Sequence, residues 1–385
     1  LEAAISRHFI EEYYGLLLLP NCHREFYNGW IAEIQHLMIK HKSLHYSVLA
    51  NGASHLHSIN ASSSMQELAL MYYSSALRDL SNLLAKSSHL ENHNGLLMSV
   101  MLLYLHGCMG SGTYADIPRH VGAATRILTM RLLQGPLTIT QPFDRLAVES
   151  VLYQIFLVTT GLWSENTPLD YAFDAHFWLA AEKLLHRSIM FPGRSNSLNS
   201  PVLGAPVSLF RLALSMKQQL QKPSGLDSAI PCHLSKEVEE WEVVVFCDLE
   251  LDCLGADEEP NSRHGLYRDG SYLYIIIISL LQEQILWKQA PMDYPEMTPN
   301  GSWQLAKAFA ILRSHRYDDE WKLCFIGNWP IYTLGFFASS QEQVDLVKGE
   351  IDGRWRLTNF SQLGRFISDL ETVWRKRGFR VSDNT

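Results

Sequence analysis

His36, His41, His45, His55 and His57 crowd one stretch of the chain, and His41 and His45 stand four residues apart. That spacing puts two imidazoles on one helix face, within reach of a shared metal. Lys42, however, occupies the place where the zinc-binding His-Glu-x-x-His pattern carries its Glu, and no carboxylate is paired with the two rings. Structural or surface histidines are the expectation, and no metal is assigned. Gly107-Cys108-Met109-Gly110-Ser111-Gly112 is glycine-rich, yet a phosphate loop needs a preceding strand and a nucleophile elbow needs Gly-x-Ser-x-Gly. A helix C-cap and a short turn account for these glycines. The six cysteines (22, 108, 232, 247, 253 and 324) include no Cys-x-x-Cys pair. Reduced, mostly buried thiols in an intracellular setting are expected.

Charge narrows the function classes. The 385 residues carry a formal charge of -8, whereas nucleic-acid binders usually present a basic face. Direct DNA contact by these residues is not expected. Between Lys236 and Glu259 lie ten acidic residues and one lysine, so the acidity is concentrated there and reads as a solvated helix face. The basic triplet Arg375-Lys376-Arg377 is what a helix C-terminus favours through its dipole. Three Asn-x-Ser sequons (Asn60, Asn300, Asn359) occur without a secretory signal and need no more than chance.

The elements that must position any site are helices. Apolar residues recur at helical spacing, most clearly Met65, Ala69, Tyr72, Ala76, Leu80 and Leu83, after a capping box at Ser64-Met65-Gln66-Glu67. Similar patterns cover about 3–18, 43–58, 94–108, 117–133, 144–160, 175–187, 205–220, 233–253, 269–288, 301–315, 341–352 and 359–376. Asp116-Ile117-Pro118 has the cap-then-proline form of a helix start. The Ile275–Ile278 block runs on to Trp287 without a turn signal, too long for a strand, and predicts a central helix buried on all sides. The strongly apolar run Tyr272–Leu281 is shorter than the ~20 residues that span a bilayer, so no membrane anchor is expected. With 47% hydrophobic and 19% charged residues the composition is that of a folded chain. Pro/Gly/Ser/Asn-rich stretches at Phe191–Pro206 and Lys222–Pro231, and an acidic one at Gly255–Gly265, read as long surface loops. The expected architecture is all-α: a large multi-helix bundle forming one domain over residues 1–385, with two packed halves at about 1–190 and 205–385.

Several segments together resemble one family. Ser47–Leu56 is similar to the alanine-rich helix ending in Ala-x-His-Leu in the regulatory domain of fungal binuclear zinc-cluster transcription factors. Ala69–Leu84 resembles that family's segment in which a tyrosine precedes Ala-Leu-Arg-x-Leu, and Leu96–Leu105 its leucine-rich helix. His120–Leu128 resembles its His-Leu-x-Gly-Ala-x-x-Leu motif. Gly327–Ile331 is similar to a recurrent Trp-Pro-Leu segment, and Phe366–Trp374 to a closing helix with a late tryptophan. The six-cysteine zinc cluster that precedes this domain in the family is not in the sequence.

The resemblance implies a regulatory, effector-sensing and dimerising module of a transcription factor, nuclear or cytoplasmic, with no cofactor and no membrane. Its implied partners are a lipophilic small molecule and a second copy in a homodimer. The alternative is a fungal secondary-metabolism enzyme on the same fold, performing cofactor-free cyclisation or isomerisation of a lipophilic substrate. In either case an aromatic-rich bundle can enclose an apolar cavity, with His55, Tyr72, Trp329 and Phe337 as candidate pocket residues and no catalytic residue assigned.

Overall fold

The computed structural model describes residues 1–381 apart from 87–92, 110–111, 134–137, 165–170, 193, 196–197, 223–229, 250–263, 288–290 and 298–300. Among the described residues every regular element is helical.

The first helix, α1 (Glu2–His8), continues through a π-helical turn at Phe9–Tyr13 and a 3-10 turn at Tyr14–Leu17, so the expected helix at 3–18 is present with two changes of winding. Helix α2 (Arg24–Lys40) was not foreshadowed by the periodicity. It buries only Phe26, Trp30 and Ile34, a stripe one residue wide. Helix α3 (Lys42–Asn60) is covered along most of its length and ends at Ala61 in the left-handed conformation (φ 49°). Helix α4 (Ser63–Lys86) packs along it. It starts one residue before the expected capping box: the Ser62 carbonyl accepts from the backbone N–H groups of Met65 and Gln66. Close approach of α1 to α3 relies on Gly52, where a Cβ would stand 2.7 Å from the Ile5 carbonyl oxygen.

Helix α5 (Asn94–Met109) bridges α3 and α6 (Ile117–Leu128), the latter opened by Asp116 with Pro118 in its first turn. The C-cap and turn expected over Gly107–Gly112 fall partly on residues 110–111, which lie outside the described residues. Helix α6 runs into a second π turn at Thr129–Leu133. Helix α7 (Pro142–Thr160) buries fifteen of its residues, and α8 (Ala175–Arg187) is capped by Asp174, whose carboxylate accepts from the N–H groups of His176 and Phe177.

The second half begins with α9 (Val207–Gln221) and α10 (Cys232–Phe246). The helix expected over 233–253 ends earlier, in a turn containing Asp248 at φ 50°. Helix α11 (His264–Trp287) is the expected buried helix: Ile275, Ile276, Ile277 and Ile278 are at most 1% exposed, each contributing roughly 1.5–3 kcal/mol by burial. By length and composition α11 could cross a membrane, more than its ten-residue apolar run suggested, but 72% of the relevant window is buried inside the protein. Helices α12 (Trp303–Ser314), α13 (Asp319–Leu323), α14 (Asn328–Phe337), α15 (Gln341–Thr358) and α16 (Ser361–Lys376) complete the chain. In α14 all ten residues are buried, so it has no polar face and gave no helical period; Pro330 sits in its first turn, where no intrahelical N–H bond is lost.

One hydrophobic core runs through both halves. Hydrogen bonds also cross between them: Tyr153 donates to the Phe325 carbonyl (3.2 Å), Trp163 Nε1 to Thr333 Oγ1 (3.1 Å), and Ser361 to the Cys108 carbonyl (2.8 Å). Two expectations are corrected. Among the described residues of 191–206 the expected surface loop is in large part interior, since Ser195, Asn199, Ser200, Val202 and Leu203 are buried. The cysteines are not mostly buried either. Cys108 and Cys324 are, Cys22 is half-buried, and Cys232 and Cys247 are exposed at the two ends of α10. Cys253 lies outside the described residues.

Candidate functional site

The interior segment 199–206 is held by one carboxylate. Glu149 on α7 is fully buried and accepts from Arg145 Nε (2.5 Å), Ser200 Oγ (2.7 Å) and the backbone N–H groups of Val202 (3.0 Å) and Leu203 (3.1 Å). Four donors supply what a buried charge needs. Arg145 also donates through Nη1 to the carbonyls of Leu185 (2.9 Å) and Ser188 (2.8 Å), closing the C-terminal end of α8. Gly204 takes φ 59°, and a Cβ there would lie 2.6 Å from Leu19 and 2.8 Å from Tyr267. Tyr267 in turn donates to the Pro20 carbonyl.

These contacts frame an open cleft of about 460 Å³. One wall is α7 and α8 with Arg145, Leu185 and His186; the floor is Leu203–Pro206 and the start of α9; the far wall is α11 with Tyr267, Arg268 and Ser271. Its size is that of a small-molecule site. A second, smaller apolar cavity of about 70 Å³ lies between Tyr14, Trp30, Met101, Leu105, Tyr153 and Phe325. It is well below the ~150 Å³ that accommodates benzene. Most of its polar neighbours are engaged, Ser150 with the Tyr104 hydroxyl (2.7 Å), Cys108 donating to Gln154 Oε1 (3.1 Å), and Asn328 Oδ1 accepting from Arg354 (3.1 Å), while the buried Trp30 Nε1 has no partner among the described residues. Burial pushes the Cys108 thiol up to about 11, so it is not a ready nucleophile.

The four residues singled out from sequence are all buried, and none is among the residues lining the cavity or the cleft. His55 on α3 bonds the Thr358 carbonyl through Nε2 (3.2 Å) and His8 through Nδ1 (2.9 Å). Because a carbonyl only accepts, His55 carries its proton on Nε2, and His8 donates to Nδ1. Burial holds His55 down at about 4, with His8 adding to the effect. Tyr72 on α4 donates to Glu2 (3.1 Å). Trp329 packs against Phe156 (5.2 Å between centroids) and Tyr274 (6.0 Å), and Phe337 closes α14 inside the core. His41 and His45 do not converge: His45 faces Glu2 at 3.7 Å, and His41 meets His93 edge-on at 6.3 Å.

A third polar cluster joins α4, α5 and α6. The Tyr73 hydroxyl lies 2.7 Å from His120 Nε2 and donates to Asp116 (3.2 Å), so the His120 nitrogen supplies the proton of the shorter contact. His106 stacks on Tyr73 (4.9 Å) and bonds Thr113 (3.0 Å). Burial lowers both imidazoles to about 4. Sequence reasoning missed the cleft residues; an available signal was Arg145 and Glu149, an i, i+4 charge pair in a largely apolar helix.

Residues 5–170 match the family model described as the fungal specific transcription factor domain. No curated protein and no solved structure matches the chain. The matched residues contain the Ser47–Leu56, Ala69–Leu84, Leu96–Leu105 and His120–Leu128 motifs, whereas the Trp329 segment and the closing helix lie beyond them. Over residues 5–170, less than half of its length, the chain is thus similar to the fungal specific transcription factor domain, and the match supports a regulatory role.

Proposed function

We propose that the chain is the regulatory module of a fungal transcription factor, working in the nucleus, that senses a lipophilic small molecule and pairs as a homodimer. The observation that carries the reading is the family match over residues 5–170. The net charge of -8 agrees with a module that leaves DNA contact to other residues. The apolar cavity of about 70 Å³ is too small for a sterol-like or polyketide-like molecule, while the cleft of about 460 Å³ has room for one, which supports the cleft as the place of an effector.

The test is to purify the protein from a fungal host, identify by mass spectrometry any small molecule that accompanies it, and add that molecule back to stripped protein. A sensor gains thermal stability by mass action and returns the molecule unchanged. Conversion of the molecule to a product, lost on substitution of a cleft side chain with folding retained, would replace the sensor by an enzyme. Light scattering across a concentration series checks the pairing; a monomer throughout would remove the dimer from the proposal.

A further inference from the structure

We infer that the cleft between α7, α8 and α11 takes an electrically neutral ligand, an apolar body with a hydroxyl or carbonyl head, and that Ser271 receives the head. The inference deepens the effector reading above and rests on it for its biological meaning.

The argument starts with charge. Each carboxylate and guanidinium lining the cleft already has its counter-charge in the protein: Arg145 with Glu149 (2.5 Å), Glu182 with Arg211 (3.3 Å), and Arg268 with Asp269 (3.2 Å). A charged ligand would have to compete with one of these pairs or be desolvated without a partner, and either is costly. A neutral ligand meets no such penalty. Much of the wall is apolar, with Leu185, Ile189, Leu203, Ala205 and Val207 facing the space. A site with apolar walls and few polar groups is the usual form of a small-molecule pocket.

The hydrogen-bonding point comes from α11. Ser271 lines the cleft, is only 1% exposed, and its hydroxyl has no partner among the described residues. Helical serines commonly satisfy themselves on the carbonyl four residues earlier, as Ser215 does on Arg211 and Ser188 does on Leu184. Ser271 does not, which leaves a nearly buried donor and acceptor in the wall of a space large enough for a ligand. The other buried hydroxyls in the lining are used: Ser200 between Glu149 and the Gly204 N–H, Ser188 between the Leu184 carbonyl and the Ile139 N–H, and Tyr267 on the Pro20 carbonyl.

The test uses the 385-residue chain with 1-decanol and decanoate, which share an apolar body and differ in head charge. Calorimetric titration at pH 7 is expected to give decanol binding at least tenfold tighter than decanoate. Ser271→Ala, which removes only the hydroxyl, should weaken decanol about fivefold, the worth of one ordinary hydrogen bond. Ala205→Trp, which fills the cleft from its floor, should abolish binding with the melting curve retained. A diazirine-bearing decanol should crosslink to peptides from α8 and residues 203–208, a readout that needs no variant to fold. Equal or tighter decanoate binding, no decanol binding, or crosslinks confined to the Tyr14–Trp30 cavity would each overturn the inference. The two readings fail separately: an effector crosslinked elsewhere but returned unchanged spares the sensor and removes the cleft, whereas a cleft ligand that is chemically converted spares the cleft and removes the sensor.

Discussion

The helices α3 to α6 and the helices α11 to α16 both bury polar groups, but they satisfy them in opposite ways. In the first region the groups are neutral. Asn51 donates to the carbonyls of Ser47 and Leu102 (2.8 Å each), Ser43 meets Ser99 (3.1 Å), and His55, His106 and His120 are held uncharged by burial. In the second region they are ionic. His315 lies between Asp269 (2.8 Å) and Asp318 (3.3 Å); Glu350 accepts from Trp321 (3.0 Å) and stands 4.0 Å from the fully buried Arg354. A neutral interior avoids the desolvation cost of charge but is exposed to protons. An ionic interior tolerates acid better and tolerates the loss of a partner worse.

The largest expected effect is therefore acid destabilisation centred on the first region. His55, His106 and His120 fold with values near 4 against an ordinary 6.5, so the unfolded chain binds more protons in that window. Stability should fall as pH drops from about 6.5 toward 4, by about 3 kcal/mol for each ring. His315 works the other way. Burial opposes its charge, but the Asp269 and Asp318 carboxylates outweigh burial and raise it, so its contribution is present below pH 6.5 and is lost as pH rises through its folded value. Urea midpoints measured between pH 7.5 and 4.5 should show the fall, and His106→Phe should reduce its slope by about a third. A flat profile would mean that the three imidazoles are not held neutral.

Next comes the ionic region. Arg354→Ala removes donors to the Cys324 carbonyl (2.8 Å) and Asn328 (3.1 Å) and leaves Glu350 without its nearest counter-charge; a loss of about 3–5 kcal/mol is expected. The double change Glu350→Gln with Arg354→Met should recover most of it, since the charge goes with its partner. If the double variant is as unstable as the single, packing of the guanidinium over Trp321 (5.0 Å) is the larger contribution. The smallest effect sharpens the comparison at two glycines. A Cβ on Gly52 would press on backbone, the Ile5 carbonyl oxygen at 2.7 Å, whereas one on Gly335 would press on the ends of Leu370 at 2.7 and 2.8 Å. Gly52→Ala should cost about 2–3 kcal/mol and Gly335→Ala about 1 kcal/mol, read from paired denaturant melts; the reverse order would show that α1 yields more easily than α16.

Helices with one apolar face and a polar back were legible in the sequence, as α4, α8 and α16 show. Two kinds of helix were not. In α2 the buried stripe of Phe26, Trp30 and Ile34 is too narrow to stand out, and in α14 burial on every side removes the period altogether. The 191–206 segment misled for a different reason: its Ser and Asn residues look solvent-seeking, but Asn199 bonds back to Phe191 and Ser195, and Ser200 and the Val202 and Leu203 N–H groups are held by Glu149, some fifty residues away. The cleft was illegible for the same cause. Its walls come from α7, α8, the start of α9 and α11, and no local pattern announces that these meet. The histidine cluster, by contrast, was visible as a cluster, and its rings do not meet one another: His45 and His55 are tied to α1 and α15, His57 to the 61–62 turn, His36 to Lys40 and His41 to His93.

Helix α11 also has a history in time. It packs against α9 and α10, made before it, and against α12 and α14, made after it. A ribosome adding about 5–20 residues per second needs on the order of 2–10 s to go from Trp287 to Phe337. During that interval one side of an apolar helix, long enough to be taken for a membrane span, has no folded surface to cover it. Newly made chains should depend on a chaperone for those seconds, and a stalled or truncated chain ending near Trp287 should aggregate or be drawn to lipid while the finished protein is not.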